Sequence, residues 1–296
     1  MVTRLRFLGA AGYEIEGPQR RILIDPFLSR NPVAPVAHES LGRPDVILVT
    51  HAAYDHLGDA GAIALRTGAP IVCGADTKAL LVDQGVPAEQ VRATVWGIVV
   101  EVGGVVVRPV ECHHWSSARL SDGRIVTGTP LSFIVETEPD VRIYHFGDTA
   151  IFSDLRLIGE LYRPTVGLIG CTHPKQLPQP VLAGPGTLVT GEMSPGEAAM
   201  AARFLGVKVA VATHYLDHRD PEVLEFLQLA GAGDGAPAAF APAPGQRLVI
   251  DGDDVRLDDP DRGASAVTPR PRPGRTSQAP RAGRTCRGAR AARRRR

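Results

Sequence analysis

The sequence predicts an α/β protein with two strand-rich halves, each carrying helices, and three observations lead there. Short apolar runs bounded by Gly, Pro and polar turns recur along the chain, as strands require. Helical segments with capping signals fall between them, so strand and helix alternate. Hydrophobic residues make up 44% of the 296 residues and aromatics only 5%, so the core has to be assembled mainly from Val, Ile, Leu and Ala.

The first strands are expected from Thr3 to Leu8, Gly12 to Ile15 and Arg21 to Asp25, separated by Gly turns in the manner of an antiparallel meander. After a turn-rich stretch from Asn31 to Pro44, the run Val46-Ile47-Leu48-Val49 reads as a buried strand that ends directly in Thr50-His51. A helix from Asp59 to Arg66, a short strand Ile71-Val72 and a helix from Asp76 to Gln84 follow. Strand runs return at Val99 to Val102, Val105 to Val110, Ser132 to Val135 and Val141 to Phe146, before a helix from Phe152 to Tyr162. The last elements are a strand from Val166 to Ile169, a helix opening at Ser194-Pro195-Gly196-Glu197 in capping-box form, a strand from Val207 to Ala212 and a helix after Asp220-Pro221. Residues 172–191, rich in Pro and Gly, fit neither element, and a connection of that length is expected to border the site.

The formal charge of +1 averages two different regions. Residues 262–296 hold 12 Arg and no acid, with many Pro and Gly and almost no large apolar side chain, and are expected to be a disordered tail. The remaining residues, 1–261, then carry 21 basic and 32 acidic side chains, a net of −11. A basic tail can bind phosphates, but no aromatic residue is interleaved for base stacking, so a nucleic-acid partner is disfavoured. Cys73, Cys112, Cys171 and Cys286 form no CxxC pair and read as reduced thiols. With no long apolar window and no signal-peptide pattern at Met1 to Arg6, a cytoplasmic location without membrane association is expected.

Chemistry-bearing residues recur just past the apolar runs. Val46 to Val49 delivers His51, with Asp55 and His56 on the loop beyond; Val105 to Val110 leads into His113-His114; Ile143 to Phe146 delivers Asp148; Val207 to Ala212 delivers His214. Imidazoles and carboxylates are the ligands that zinc, manganese and iron take, and a shared position past strand ends lets distant residues converge. No GxSxG elbow or GxxxxGK[ST] loop occurs, and Gly9-Ala10-Ala11-Gly12 is too short for a dinucleotide loop. A Cys171–His173 nucleophile pair is a weaker alternative.

The segment Thr50-His51-Ala52-Ala53-Tyr54-Asp55-His56-Leu57-Gly58-Asp59 resembles the HxHxDH signature of the metallo-β-lactamase superfamily with one ligand missing. His114, then His145-Phe146-Gly147-Asp148-Thr149, then Thr213-His214-Tyr215 follow in the superfamily's order. Asp25-Pro26-Phe27, His114-Trp115-Ser116-Ser117, the run Phe146 to Asp154 and Leu157-Ile158-Gly159-Glu160-Leu161 resemble the ascorbate-6-phosphate lactonase-like (UPF0173-type) metal-dependent hydrolases, with coverage from about Arg4 to His218.

The resemblance implies a four-layer αββα sandwich with a site for one or two divalent ions, zinc ahead of manganese or iron. Carried over, one ion takes His51 and His114 plus a histidine at position 53, the other takes Asp55, His56 and His214, and Asp148 bridges them. Position 53 is Ala53, so asymmetric occupancy is expected, with Tyr54, His113, Cys112, Cys171, His173 or water as candidate substitutes. On an extended chain His113 would face away from its neighbour His114. The implied activity is hydrolysis of a small-molecule lactone, ester or phosphoester by metal-activated hydroxide, with Asp55, Asp148 and His214 catalytic. Asp25 or Asp59 would orient a ligand imidazole, Asp59 serving equally well as a helix N-cap, while Ser116, Ser117 and Tyr215 would contact substrate or simply bond their loops. A degenerate binding or sensor protein holding one ion or none is the competing reading, motivated by Ala53; a homo-oligomer is left open.

Overall fold

A computed structural model of the chain describes residues 2–172 and 192–258. The stretch 173–191, which includes His173, and the tail 262–296 lie outside the described residues. Two large sheets face each other. The first has eight strands in the spatial order Asp254–Asp258, Arg247–Asp251, Val2–Gly9, Gly12–Glu16, Arg21–Ile24, Val46–Leu48, Ile71–Cys73 and Val91–Ala93. The second has seven, in the order Ala238–Phe240, Val209–Thr213, Val166–Gly170, Val141–His145, Ser132–Glu138, Val105–Val110 and Val100–Val102. The expected meander is present: Val2–Gly9, Gly12–Glu16 and Arg21–Ile24 pair antiparallel, with Leu5 opposite Ile15 and Ile15 opposite Ile22.

Period-two alternation explains why Val46-Ile47-Leu48-Val49 is apolar throughout. Val46 and Leu48 face the inter-sheet core beside Ile22, Ile24, Phe133 and Ile143. Ile47 and Val49 face the other way, packing with Leu23, Ile71, Ala60, Ile63 and Leu81 beneath the helices Ala60–Thr67 and Ala75–Asp83. A strand buried on both faces has no polar side to show. On the second sheet, Ala198, Ala202, Val223 and Phe226 of helices Pro195–Leu205 and Pro221–Ala230 join the core. The result is the helix–sheet–sheet–helix sandwich that the resemblance implies.

The capping box forms as read, with the Ser194 N–H donating to Glu197 Oε2 at 2.9 Å. Asp220 caps the last helix, accepting from the Glu222 N–H at 2.9 Å. Other boundaries move. The helix expected from Phe152 begins at Leu155, and the strand expected from Val207 begins at Val209, because Val207 N still bonds back to Ala202 O at 3.4 Å. A one-turn helix Tyr54–Leu57, a hairpin of Ser116–Arg119 with Ile125–Gly128, and the strands after Ala238 were not anticipated. No helix among the described residues is long and apolar enough to cross a membrane.

Candidate metal centre

The site lies where strands of both sheets end. Val46–Leu48 continues through Val49 and Thr50 into His51, and the single turn Tyr54–Leu57 then brings Asp55 and His56 inward. Strand Val141–His145 leads through Phe146 and Gly147 to Asp148. Gly147 has φ +64°, and a Cβ there would lie 2.2 Å from the Leu131 carbonyl oxygen, so only glycine allows Asp148 its approach. Strand Val209–Thr213 delivers His214, whose N–H donates to Ala10 O at 2.8 Å across the gap between the sheets.

Asp148 Oδ2 is the hub. It lies 2.9 Å from His56 Nε2, 3.4 Å from His214 Nε2 and 3.9 Å from His51 Nε2. Asp55 Oδ2 stands 3.7 Å from His214 Nε2 and 3.9 Å from His56 Nε2. All five side chains are buried. His114 packs edge-on against His51 with ring centroids 5.0 Å apart. Its nitrogens fall outside the groups of donor atoms that lie within 4.8 Å of one another, which are His51, His56 and Asp148; Asp55, His56 and His214; and Asp148, Glu192 and His214.

Glu192 is the residue that sequence reasoning missed. It follows the segment that defied assignment, past no apolar run, and its only signal was proximity to the capping box two residues on. Its buried carboxylate Oε1 lies 4.0 Å from His214 Nδ1.

Hydrogen bonds behind the site fix which nitrogens face it. Asp25 Oδ1 accepts the Thr50 N–H at 2.8 Å, while Oδ2 accepts the Thr50 hydroxyl at 2.8 Å and the His56 Nδ1–H at 2.7 Å. Having given its one proton to Asp25, the Thr50 hydroxyl acts as acceptor for His51 Nδ1 at 3.0 Å. Both rings therefore turn Nε2 toward Asp148. Asp25 is thus the orienting carboxylate. Asp59 is not: its oxygens hold the Leu28 and Ser29 N–H groups, each at 2.8 Å, and it makes no side-chain cap bond to the helix it precedes.

Ser116 and Tyr215, two further sequence candidates, bond the surrounding chain. Ser116 accepts the Ala52 N–H at 3.1 Å and donates to Asp76. Tyr215 is buried with its hydroxyl on Pro242 O at 2.6 Å. Burial pushes the Cys171 thiol up, which argues against a nucleophile there.

Charge is finely opposed in this pocket. Burial holds the His51 imidazole well below its ordinary range, aided by the neighbouring His56. Burial would also neutralise Asp148, but His214, His56 and His51 together outweigh it and hold the carboxyl well below its usual value. For His214, burial is overcome by Asp148 and Asp55, lifting the imidazole to about 9. Three non-glycine residues here, Asp25, Asp148 and His214, have left-handed φ of +45°, +65° and +67°. Such backbone costs on the order of 1–3 kcal/mol each and persists where the surroundings enforce it. Among the described residues, His51 Nε2, both ring nitrogens of His214 and Asp148 Oδ1 are buried without a hydrogen-bond partner. Converging orphaned lone pairs of this kind suit a divalent cation.

Comparisons with known proteins agree with this geometry. The beta-lactamase superfamily domain matches residues 20–215. A UPF0173 metal-dependent hydrolase of Rubrobacter xylanophilus is 41% identical over 215 residues, covering 72% of this chain and 81% of the relative. Another, of Thermococcus onnurineus, is 39% identical over 234 residues, covering 78% and 93%. Igni18, a metallo hydrolase from Ignicoccus hospitalis, superposes with a TM-score of 0.65 at 25% identity, covering 85% of this chain and 99% of that one. With the sandwich, the strand-end cluster and these relatives in agreement, the chain belongs to the metallo-β-lactamase superfamily and is a metal-dependent hydrolase of the UPF0173 type.

Proposed function

We propose that the protein hydrolyses a small-molecule lactone, ester or phosphoester at a centre formed by His51, Asp55, His56, His114, Asp148 and His214, with zinc as the first candidate for the ion and manganese or iron behind it. The observation that carries this reading is the convergence of orphaned, buried imidazole and carboxylate atoms on Asp148. A divalent ion, when bound, lowers the pKa of water from about 15.7 to about 7 and polarises an acyl or phosphoryl oxygen.

The chain's own residues supply the rest. Asp148, held ionised by three imidazoles, orients the attacking water through its carboxylate. Asp55 is ionised too, because His214 and His56 outweigh the effect of its burial, and Oδ2 accepts a hydrogen bond from that water. Asp25 and Thr50 keep the two Nε2 atoms aimed forward throughout. Residues 1–261 form the catalytic body in this reading, acting in the cytoplasm on a small molecule.

The test is hydrolysis of a panel of lactones, carboxylic esters and phosphoesters by the full chain, with and without chelator, alongside Asp148→Ala and His214→Ala. Chelator-sensitive turnover of one class, abolished in both variants while circular dichroism is unchanged, is the expected result. Turnover that survives both substitutions overturns the assignment of the centre. No turnover by a metal-loaded chain on any member favours the binding or sensor protein that Ala53 suggests.

A further inference from the structure

We propose that Asp76 is a positioning residue for the metal centre, acting through the Ser116 hydroxyl to hold His51 and His114 in register across the two sheets. This inference rests on the metal-dependent reading above and adds to it a residue outside the ligand set.

His51 leaves the first sheet past Val46–Leu48, whereas His114 follows Val105–Val110 of the second. Their rings meet edge-on with centroids 5.0 Å apart, so the two segments have to be fixed relative to each other. One side of His51 is secured by Thr50, whose N–H donates to Asp25 at 2.8 Å and whose carbonyl accepts from Leu131 N at 2.9 Å. The other side is the His51–Ala52 peptide, and its N–H donates to Ser116 Oγ at 3.1 Å. Ser116 stands two residues past His114, so this one hydroxyl joins both ligand-bearing segments.

A serine hydroxyl carries one proton and rotates, and its direction decides whether a lone pair faces Ala52. Asp76 Oδ2 accepts that proton, which leaves a lone pair for the Ala52 N–H. Asp76 is 2% exposed and Ser116 3%, so bulk water is kept from the pair.

The surrounding backbone makes room for the carboxylate. Gly128 pairs directly opposite Ser116 in the hairpin, and a Cβ on it would lie 2.1 Å from Asp76 Oδ1. A Cβ on Gly74 would lie 3.0 Å from the same atom. Neither glycine has a positive φ, so space and not backbone conformation accounts for both. Among the described residues the one side-chain hydrogen bond of Asp76 goes to Ser116, and Oδ1 is buried without a partner, an arrangement that costs stability. Asp76 also lies in the first turn of helix Ala75–Asp83, where a carboxylate favours the helix, a role that has to be separated from action through Ser116.

The experiment uses the full chain, freed of metal and titrated with Co²⁺, read by chelator competition and by the visible spectrum, with melts in EDTA to follow folding. Ser116→Ala and Asp76→Ala are each expected to weaken the most loosely held ion by about 10–100-fold, the usual effect of losing an outer partner, and to change the Co²⁺ bands in the same way. Added to Ser116→Ala, Asp76→Ala is expected to weaken binding no more than about twofold further, because two residues acting in series are not additive. Asp76→Asn, whose amide oxygen still accepts the Ser116 proton, is expected to keep affinity and spectrum close to wild type. Affinity retained in Asp76→Ala overturns the proposal, and so do losses that add in the double variant, since Asp76 would then serve only its helix. A wild-type chain that binds no Co²⁺ refutes the metal-dependent reading instead. The His51 and His114 ring signals of the metal-free chain in ¹H–¹⁵N spectra then decide the positioning role, which stands if both move in Asp76→Ala and fails if they do not.

Discussion

Replacing Asp25 by Asn exchanges a carboxylate oxygen for an amide and, because Asn also tolerates left-handed backbone, leaves the φ of +45° acceptable. The buried Thr50 N–H needs an acceptor, so the amide oxygen takes the place of Oδ1 and the NH2 takes the place of Oδ2. That NH2 then faces His56 Nδ1, 2.7 Å away in the wild type, and two donors cannot share the contact. His56 must move its proton to Nε2, the nitrogen 2.9 Å from Asp148, where it blocks the lone pair meant for an ion. Loss of such a partner costs about 10–100-fold in metal affinity. The metal-free protein also loses a charge-assisted bond between fully buried groups, on the order of 1.5–3 kcal/mol. At about 2–4 °C per kcal/mol for a body of this size, its Tm should fall by roughly 3–12 °C. Competition titration with a chromogenic chelator measures the affinity, and thermal melts in EDTA measure the stability. Metal affinity within twofold of wild type would refute the assigned tautomers.

Other outcomes follow from the same geometry. Gly147→Ala forces a Cβ to 2.2 Å from Leu131 O at a φ of +64°, so the variant should unfold at markedly lower urea or lose the metal centre. Asp59→Ala frees three donors of Leu28 and Ser29 and should destabilise the chain by about 1–3 kcal/mol in urea while leaving metal affinity near wild type, since Asp59 holds a loop and no ligand. In the metal-free protein, the raised His214 pKa contributes stability fully below about 6.5 that is lost as pH rises through about 9. Melts in EDTA should therefore show Tm falling across that window, and His214→Gln should flatten the fall. At pH 7.5 metal binding has to displace that proton, which calorimetry in buffers of different ionisation enthalpy detects as release.

The ligand-bearing strands were legible because they are buried on both faces. Val46 to Val49 and Val209 to Ala212 leave no polar position inside the run, so Thr50-His51 and Thr213-His214 beyond them stand out. Asp148 follows a run that Arg142 and His145 interrupt, and it is marked by its place just past Phe146-Gly147. Glu192 does not stand out, since the chain reaches it from a Pro- and Gly-rich connection with no periodicity to mark where it points. The hairpin of Ser116–Arg119 and Ile125–Gly128 was missed because its strands are only four residues long, half exposed and built from Ser-Ser-Ala-Arg and Ile-Val-Thr-Gly in place of an apolar run. Arg247–Asp251 pairs with Val2–Gly9 at the opposite end of the chain, a partnership that local pattern cannot register. Asp25 was legible as an orienting residue, whereas its choice over Asp59 depended on which carboxylate the fold brings behind His56.

The left-handed residues explain why the centre should stay arranged without its ion. Asp25, Asp148 and His214 would each relax if the backbone were free, yet Asp25 and His214 are tied by backbone hydrogen bonds. Asp25 N donates to Leu48 O at 3.0 Å and its carbonyl accepts from Phe27 N at 2.8 Å, bending the chain toward His56. His214 N donates to Ala10 O at 2.8 Å, and Ala10 N donates to Tyr215 O at 3.0 Å, so one sheet clamps the ligand of the other. Ala10 is itself left-handed, with φ +52°. The strain therefore lies on both sides of the seam between the sheets, where these hydrogen bonds and the packing of Phe7, Tyr13 and Tyr215 hold it. Relaxing His214 or Ala10 would break the hydrogen bonds that join the two sheets there. Removal of metal should for that reason leave the imidazoles and carboxylates in position, and the cost of organising them falls on folding and not on the binding step.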